Sequence, residues 1–119
     1  MKESELEKKF CLLVRQAGGK AYKFVSPGNT GVPDRLVILP GARIGFVELK
    51  KPGGELRKQQ GFRRRELEAL GCYTAVVDSM ESAEAVIDEI RRQEPQIQHT
   101  DKLFQEMVNR SPGRKGVVV

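Results

Sequence analysis

Apolar residues recur along this chain with two different periods. Leu6, Phe10, Leu13, Val14 and Ala17 fall at helical spacing, Ser4-Glu5-Leu6-Glu7 ahead of them fits a capping box, and Gly18-Gly19 ends the run. Ala21 to Val25 reads as a short strand, followed by Ser26-Pro27-Gly28-Asn29-Thr30-Gly31, a loop of small residues. From Gly31 to Lys50, two runs rich in Val, Ile, Leu and Phe flank Pro40-Gly41, the pattern of a β-hairpin. A turn at Lys51-Pro52-Gly53-Gly54 leads into a helix expected from about Glu55 to Leu70, with Leu56, Phe62, Leu67 and Leu70 as its buried side. Gly61 weakens that helix by about 1 kcal/mol relative to Ala. Cys72 to Val77 is the fourth strand. It follows a helical crossover, so it should lie parallel to the second hairpin strand. Ser79 or Ser82 caps a third helix that carries Ala83, Val86, Ile87 and Ile90 inward and stops before Pro95.

The predicted order is therefore α-β-β-β-α-β followed by helices: an α/β domain with a mixed sheet and helices on both sides, over 1–92. Residues 93–119 form a C-terminal extension. Within it Leu103, Phe104, Met107 and Val108 carry a short helical pattern that Thr100 could cap. Arg110 to Val119 is basic, then apolar at Val117-Val118-Val119, and could pack on the domain, join a second subunit or stay apart.

Composition narrows the partner. The chain has 119 residues, enough for one domain with a modest core, and 39% hydrophobic against 31% charged residues is a soluble balance. A net charge of +5 and a sequence pI near 9.4 favour a polyanionic partner, most simply nucleic acid. Cys11 and Cys72 lie far apart and there is one His, which excludes a zinc set; both cysteines read as reduced core residues. With no signal peptide and no apolar run of membrane length, a cytoplasmic location is expected.

Three residues interrupt the apolar hairpin: Asp34 at the start of its first strand, Glu48 and Lys50 at the end of its second. Glu48 and Lys50 share a face, being two residues apart. With Pro40-Gly41-Ala42 as the loop, Leu39 pairs with Arg43 and Asp34 falls opposite Glu48, with Cβ atoms roughly 4.5–5.5 Å apart. A loop one residue shorter or longer sets Asp34 opposite Leu49 or Val47 instead. Paired carboxylates on a half-buried strand surface are costly unless a hard divalent cation joins them.

Pro33-Asp34, thirteen residues, then Glu48-Leu49-Lys50 resembles the PD-(D/E)XK nuclease signature. Gly31-Val32-Pro33-Asp34-Arg35-Leu36 and Phe46-Val47-Glu48-Leu49-Lys50-Lys51-Pro52-Gly53-Gly54 are similar to its VRR-NUC branch, and the similarity extends from about Ser4 to Val77. The resemblance implies a restriction-endonuclease-like core and metal-dependent hydrolysis of DNA phosphodiesters. Asp34, Glu48 and the main-chain carbonyl of Leu49 would hold Mg²⁺ or Mn²⁺, with Lys50 beside the attacking water. It also implies a first-helix glutamate that binds through water or a second ion. Glu7, eleven residues before Gly18, is favoured over Glu5, although Glu7 could instead serve the Ser4 cap. Gln60, eleven before Gly71, is the implied site glutamine.

Lys51, Arg57, Lys58, Arg63 and Arg64, with Asn29 and Thr30 of the loop, are the expected DNA contacts. Arg63, Arg64 and Arg65 spread over a broad arc, which fits a solvated face as well as a DNA-binding one. By analogy with junction-resolving relatives, a homodimer acting on branched DNA in a phage or prophage setting is expected. The alternative is a non-catalytic DNA-binding module that kept the fold.

Overall fold

The structure is a computed structural model that describes residues 1–96 and 106–110. Its elements are α1 (Glu3–Gln16), β1 (Lys20–Lys23), β2 (Arg35–Leu39), β3 (Arg43–Leu49), α2 (Lys58–Ala69), β4 (Thr74–Val77) and α3 (Met80–Arg91), the order the sequence predicts. The strands form one sheet in the order β1-β2-β3-β4. The first three run antiparallel to their neighbours, and β4 is parallel to β3 because α2 returns the chain between them.

Strand alternation sorts the side chains. Val37, Leu39, Val47, Leu49, Ala75 and Val77 point to one face, where they are buried against Leu6, Phe10 and Val14 of α1 and Ala83, Val86, Ile87 and Ile90 of α3. These helical positions recur every three or four residues, so each helix turns a single apolar stripe to the sheet. The opposite face carries Glu48 and Thr74, the buried polar residues among those described, and α2 lies over them. Arg64 of α2 donates to the Thr74 hydroxyl at 3.0 Å, and that hydroxyl donates to Glu68 at 2.6 Å.

This polar underside corrects the reading of α2. Phe62 and Leu70 are exposed by 53% and 76%, and no residue of the helix is fully buried. Glu48 and Thr74 require polar partners, so the helix turns Gln60 and Arg64 inward, leaving Phe62 and Leu70 exposed and Leu67 half-buried. Other expectations are also revised. The α1 helix starts at Glu3 behind Lys2, and the Ser4–Glu7 capping box does not form. The Lys2 carbonyl already accepts from Glu5 and Leu6 at 3.1 Å, and Arg35 takes the Glu7 carboxylate. Ser79 caps α3, with Ser82 returning the bond. Cys11 and Cys72 are half-buried free thiols, not core residues. Met107 and Val108 sit in an exposed helical turn; Thr100, Leu103 and Phe104 lie outside the described residues. No helix among the described residues is long and apolar enough to cross a membrane.

Candidate active site

Leu39 pairs with Arg43, so the hairpin loop is Pro40-Gly41-Ala42. Gly41 and Ala42 both have positive φ, 85° and 54°, which closes the three-residue loop. The ladder runs outward to Arg35 opposite Val47, and one further step sets Asp34 opposite Glu48. Amides of even-numbered β3 residues point to the β4 side, as Phe46 N–H to Tyr73 and Lys50 N–H to Val77, both 2.9 Å, demonstrate. Those of odd-numbered residues therefore point toward β2. Asp34 and Glu48 consequently occupy a non-hydrogen-bonded position of the ladder, the kind that brings opposing side chains closest.

The next position explains the proline. Continuing the register sets Pro33 opposite Leu49, where an ordinary residue would exchange two backbone hydrogen bonds. Pro33 has no N–H, so it supplies no donor to the Leu49 carbonyl. The Leu49 N–H instead donates to Asp34 Oδ2 at 2.9 Å, which fixes that carboxylate at the strand end.

Glu48 is 3% exposed. Burial is the main cause that pushes its carboxyl up to about 8; hydrogen bonding with Asp34 and the negative charge of Asp34 add to it, while Lys50 opposes the shift. Lys50 Nζ lies 3.9 Å from Glu48 Oε2. Gln60 Nε2 donates to the same oxygen at 3.1 Å, and Gln60 Oε1 accepts from the Arg57 amide at 2.8 Å. The second bond fixes which end of the Gln60 amide faces the carboxylate.

Glu7 stands apart from this group. Its carboxylate pairs with Arg35, which projects on the core side of the sheet, and it lines a surface cavity with Lys8, Cys11, Leu12 and Arg15. The helix carboxylate whose charge reaches Glu48 is Glu3, one turn earlier, and it raises the Glu48 pKa further. The sequence pointed to Glu5 and Glu7 and not to Glu3. The available signal was that Glu3 and Glu7 share a helix face, four residues apart.

The expected DNA contacts divide into two groups. Arg63 donates to the Thr30 carbonyl at 3.1 Å and pairs with Glu66, and Arg64 is committed to Thr74 and Glu68. Asn29 donates to Ser26 Oγ at 2.9 Å. Lys51, Arg57 and Lys58 are exposed, as is Arg65, and none of the four forms an ion pair among the described residues. The Asn29–Thr30 loop is thus clamped to α2. Gly31 makes this possible: at φ +94° an added Cβ would come within 2.7 Å of the Gln59 backbone.

The residues present fit a divalent cation. Two carboxylates and a main-chain carbonyl without a donor from Pro33 form a set of hard oxygen ligands, and burial first, with the Asp34 carboxylate second, raises the Glu48 pKa, a penalty that a bound cation would offset. Among the described residues no third His, Cys, Asp or Glu joins the pair, so a third protein ligand would come from the main chain.

A mixed α/β sheet flanked by helices carries a carboxylate pair, a lysine and a helix-borne glutamine at one strand end, and the fold is of the nuclease type. Comparison with known proteins agrees. No family model matches the chain. Over 81 residues it is 48% identical to the protein named Putative nuclease p44 of Acyrthosiphon pisum secondary endosymbiont phage 1, covering 68% of this chain and 87% of that one. A solved VRR_NUC domain superposes with a TM-score of 0.68 at 29% identity, over 72% of this chain and 94% of that domain. The chain belongs to the VRR-NUC family.

Proposed function

We propose that the protein is a Mg²⁺- or Mn²⁺-dependent DNA endonuclease that hydrolyses phosphodiester bonds at the Asp34–Glu48 site. The reading rests on one observation: two opposed carboxylates, one nearly dry, held by Leu49 N–H and Gln60 in a basic protein. Asp34, Glu48 and the Leu49 carbonyl would hold the cation, which when bound would supply Lewis-acid activation of water and neutralise charge developing on the phosphate. Lys50 Nζ, on the same face, orients the water and donates to a non-bridging phosphate oxygen. Gln60 donates to Glu48 Oε2 and so keeps that carboxylate oriented at the strand end. Glu3, rather than Glu7, is the helix acid suited to an outer-shell water.

Lys51, Arg57, Lys58 and Arg65 provide charge for backbone contacts to DNA. The finer reading is a structure-selective enzyme that acts on branched or junction DNA, as a homodimer, in phage or prophage DNA processing in the bacterial cytoplasm. Two features support it: the phage origin of the similar protein, and the sheet face shared with the site, where Tyr22 and Ile44 are exposed beside half-buried Leu36, Ile38 and Phe46. The competing reading, a DNA-binding module without catalysis, gives no use to a carboxylate pair of which one member, Glu48, is buried.

A gel panel of duplex, flap and four-way-junction DNA with Mg²⁺, Mn²⁺ or EDTA tests the proposal. Cleavage should require the metal and should fall below detection in Asp34→Asn. A wild-type cleavage rate in that variant, or cleavage in EDTA, refutes the site.

A further inference from the structure

Phe62 is one of several large apolar side chains among the described residues that the fold leaves exposed, and it is an aromatic one on α2. It projects from α2 two residues after Gln60, about 200° around the helix, so it lies on the side away from the sheet. Lys58 and Arg65, one turn before and after it, share that side and are exposed. The Arg63 guanidinium carbon lies 5.3 Å from the Phe62 ring centroid. That contact places the guanidinium over one face of the ring while the side chain stays 53% exposed, which leaves the other face for a stacking partner. A helix face that served only solvation would carry charged residues without an aromatic among them. Glu66, one turn on, is exposed on the same side and paired with Arg63, and a protein-docking stripe would need more apolar residues than one ring among mostly cationic neighbours. Aromatic rings interleaved with cations are instead the means by which single-stranded nucleic acid is held: cations follow the phosphates and each base stacks on a ring.

We propose that Phe62, with Lys58 and Arg65 beside it, is a stacking platform for an unpaired nucleobase, one helix diameter from the cleavage site. This rests on the reading of the protein as a DNA nuclease and gives it a physical basis for selecting branched over continuous duplex DNA. A paired base is stacked inside the helix and offers its face to no side chain; a base at a flap or junction does. Arg63 links the platform to the site's surroundings, because it also donates to the Thr30 carbonyl in the loop that leads into Asp34.

Binding without turnover tests this separately from the nuclease reading. The full chain is titrated in EDTA with a flap DNA carrying 2-aminopurine at its first unpaired nucleotide, and with the matching continuous duplex. The wild type should bind the flap more tightly and change the 2-aminopurine fluorescence. Phe62→Ala should abolish that change and weaken flap binding by about 5- to 100-fold, with duplex binding altered less than about twofold. Phe62→Trp should restore both. Equal losses on the two DNAs, no loss on either, or a changed sedimentation mass in Phe62→Ala overturns the proposal; the last would assign the ring to a subunit contact. If the wild type binds flaps in this way yet cuts no DNA with Mg²⁺ or Mn²⁺, the nuclease reading fails and the platform stands.

Discussion

Glu48→Gln should make the metal-free protein more stable at alkaline pH while it removes the response to metal. In the folded state the Glu48 carboxyl is raised from 4.5 to about 8, burial being the largest cause and Asp34 the next. Between those values the folded chain holds a proton that the unfolded chain has released. Stability is therefore greatest below pH 4.5 with respect to this group and declines as pH rises through 8. At about 1.36 kcal/mol per pH unit, the interval caps the loss at about 5 kcal/mol. In the variant an amide N–H₂ replaces the protonated oxygen beside Asp34 and has no proton to lose in this range, so the variant escapes the decline. Even a third of the cap moves Tm by roughly 6 °C in a domain of this size. Differential scanning calorimetry of both proteins in EDTA from pH 5 to 9 should therefore show their melting temperatures diverging, with the wild type falling. Mg²⁺ or Mn²⁺ should raise the wild-type Tm most at the alkaline end, where the site is ionised, and leave Glu48→Gln unmoved. Parallel pH profiles would show that Glu48 does not titrate in this range. An equal metal response in both proteins would remove the ion from this carboxylate.

Lys50→Ala should slow cleavage by at least about tenfold, the usual scale for losing a charge beside a reacting group, while calorimetric Mn²⁺ affinity changes less than threefold; a collapse of metal binding would contradict its assigned role. Glu7→Gln should cost about 1 kcal/mol through the lost Arg35 pair and leave Mn²⁺ affinity unchanged, whereas Glu3→Gln should weaken it; the reverse pattern would return Glu7 to the site. Gly31→Ala should lower stability by roughly 1–2 kcal/mol for the left-handed backbone alone, and more because its Cβ meets the Gln59 backbone. An unchanged urea midpoint and cleavage rate would show that the loop does not depend on α2. Phe10→Ala, at a fully buried position, should cost about 3–5 kcal/mol without shifting the metal response of whatever remains folded.

Much of this architecture is written locally. The helical stripes Leu6-Phe10-Val14 and Ala83-Val86-Ile87-Ile90, the Pro40-Gly41 hairpin and the parallel β4 follow from periodicity, turn chemistry and chain connectivity, each readable within about a dozen residues. The facing of Asp34 and Glu48 depends on the hairpin loop length, which the sequence left open between alternatives and which the Leu39–Arg43 pairing fixes at three residues. Other features depend on partners remote in sequence. The Ser4–Glu7 cap is a sound local motif, but Arg35, 28 residues away, outcompetes it for the Glu7 carboxylate. The rotation of α2 depends on Glu48 and Thr74 beneath it, since buried polar groups need Gln60 and Arg64 more than the sheet needs Phe62. The clamp of Arg63 on Thr30 spans 33 residues. Short-range order decided what elements form. Only the assembled fold, in which burial makes each unpaired polar atom expensive, decided which partner the Glu7 carboxylate takes and which face of a helix meets water.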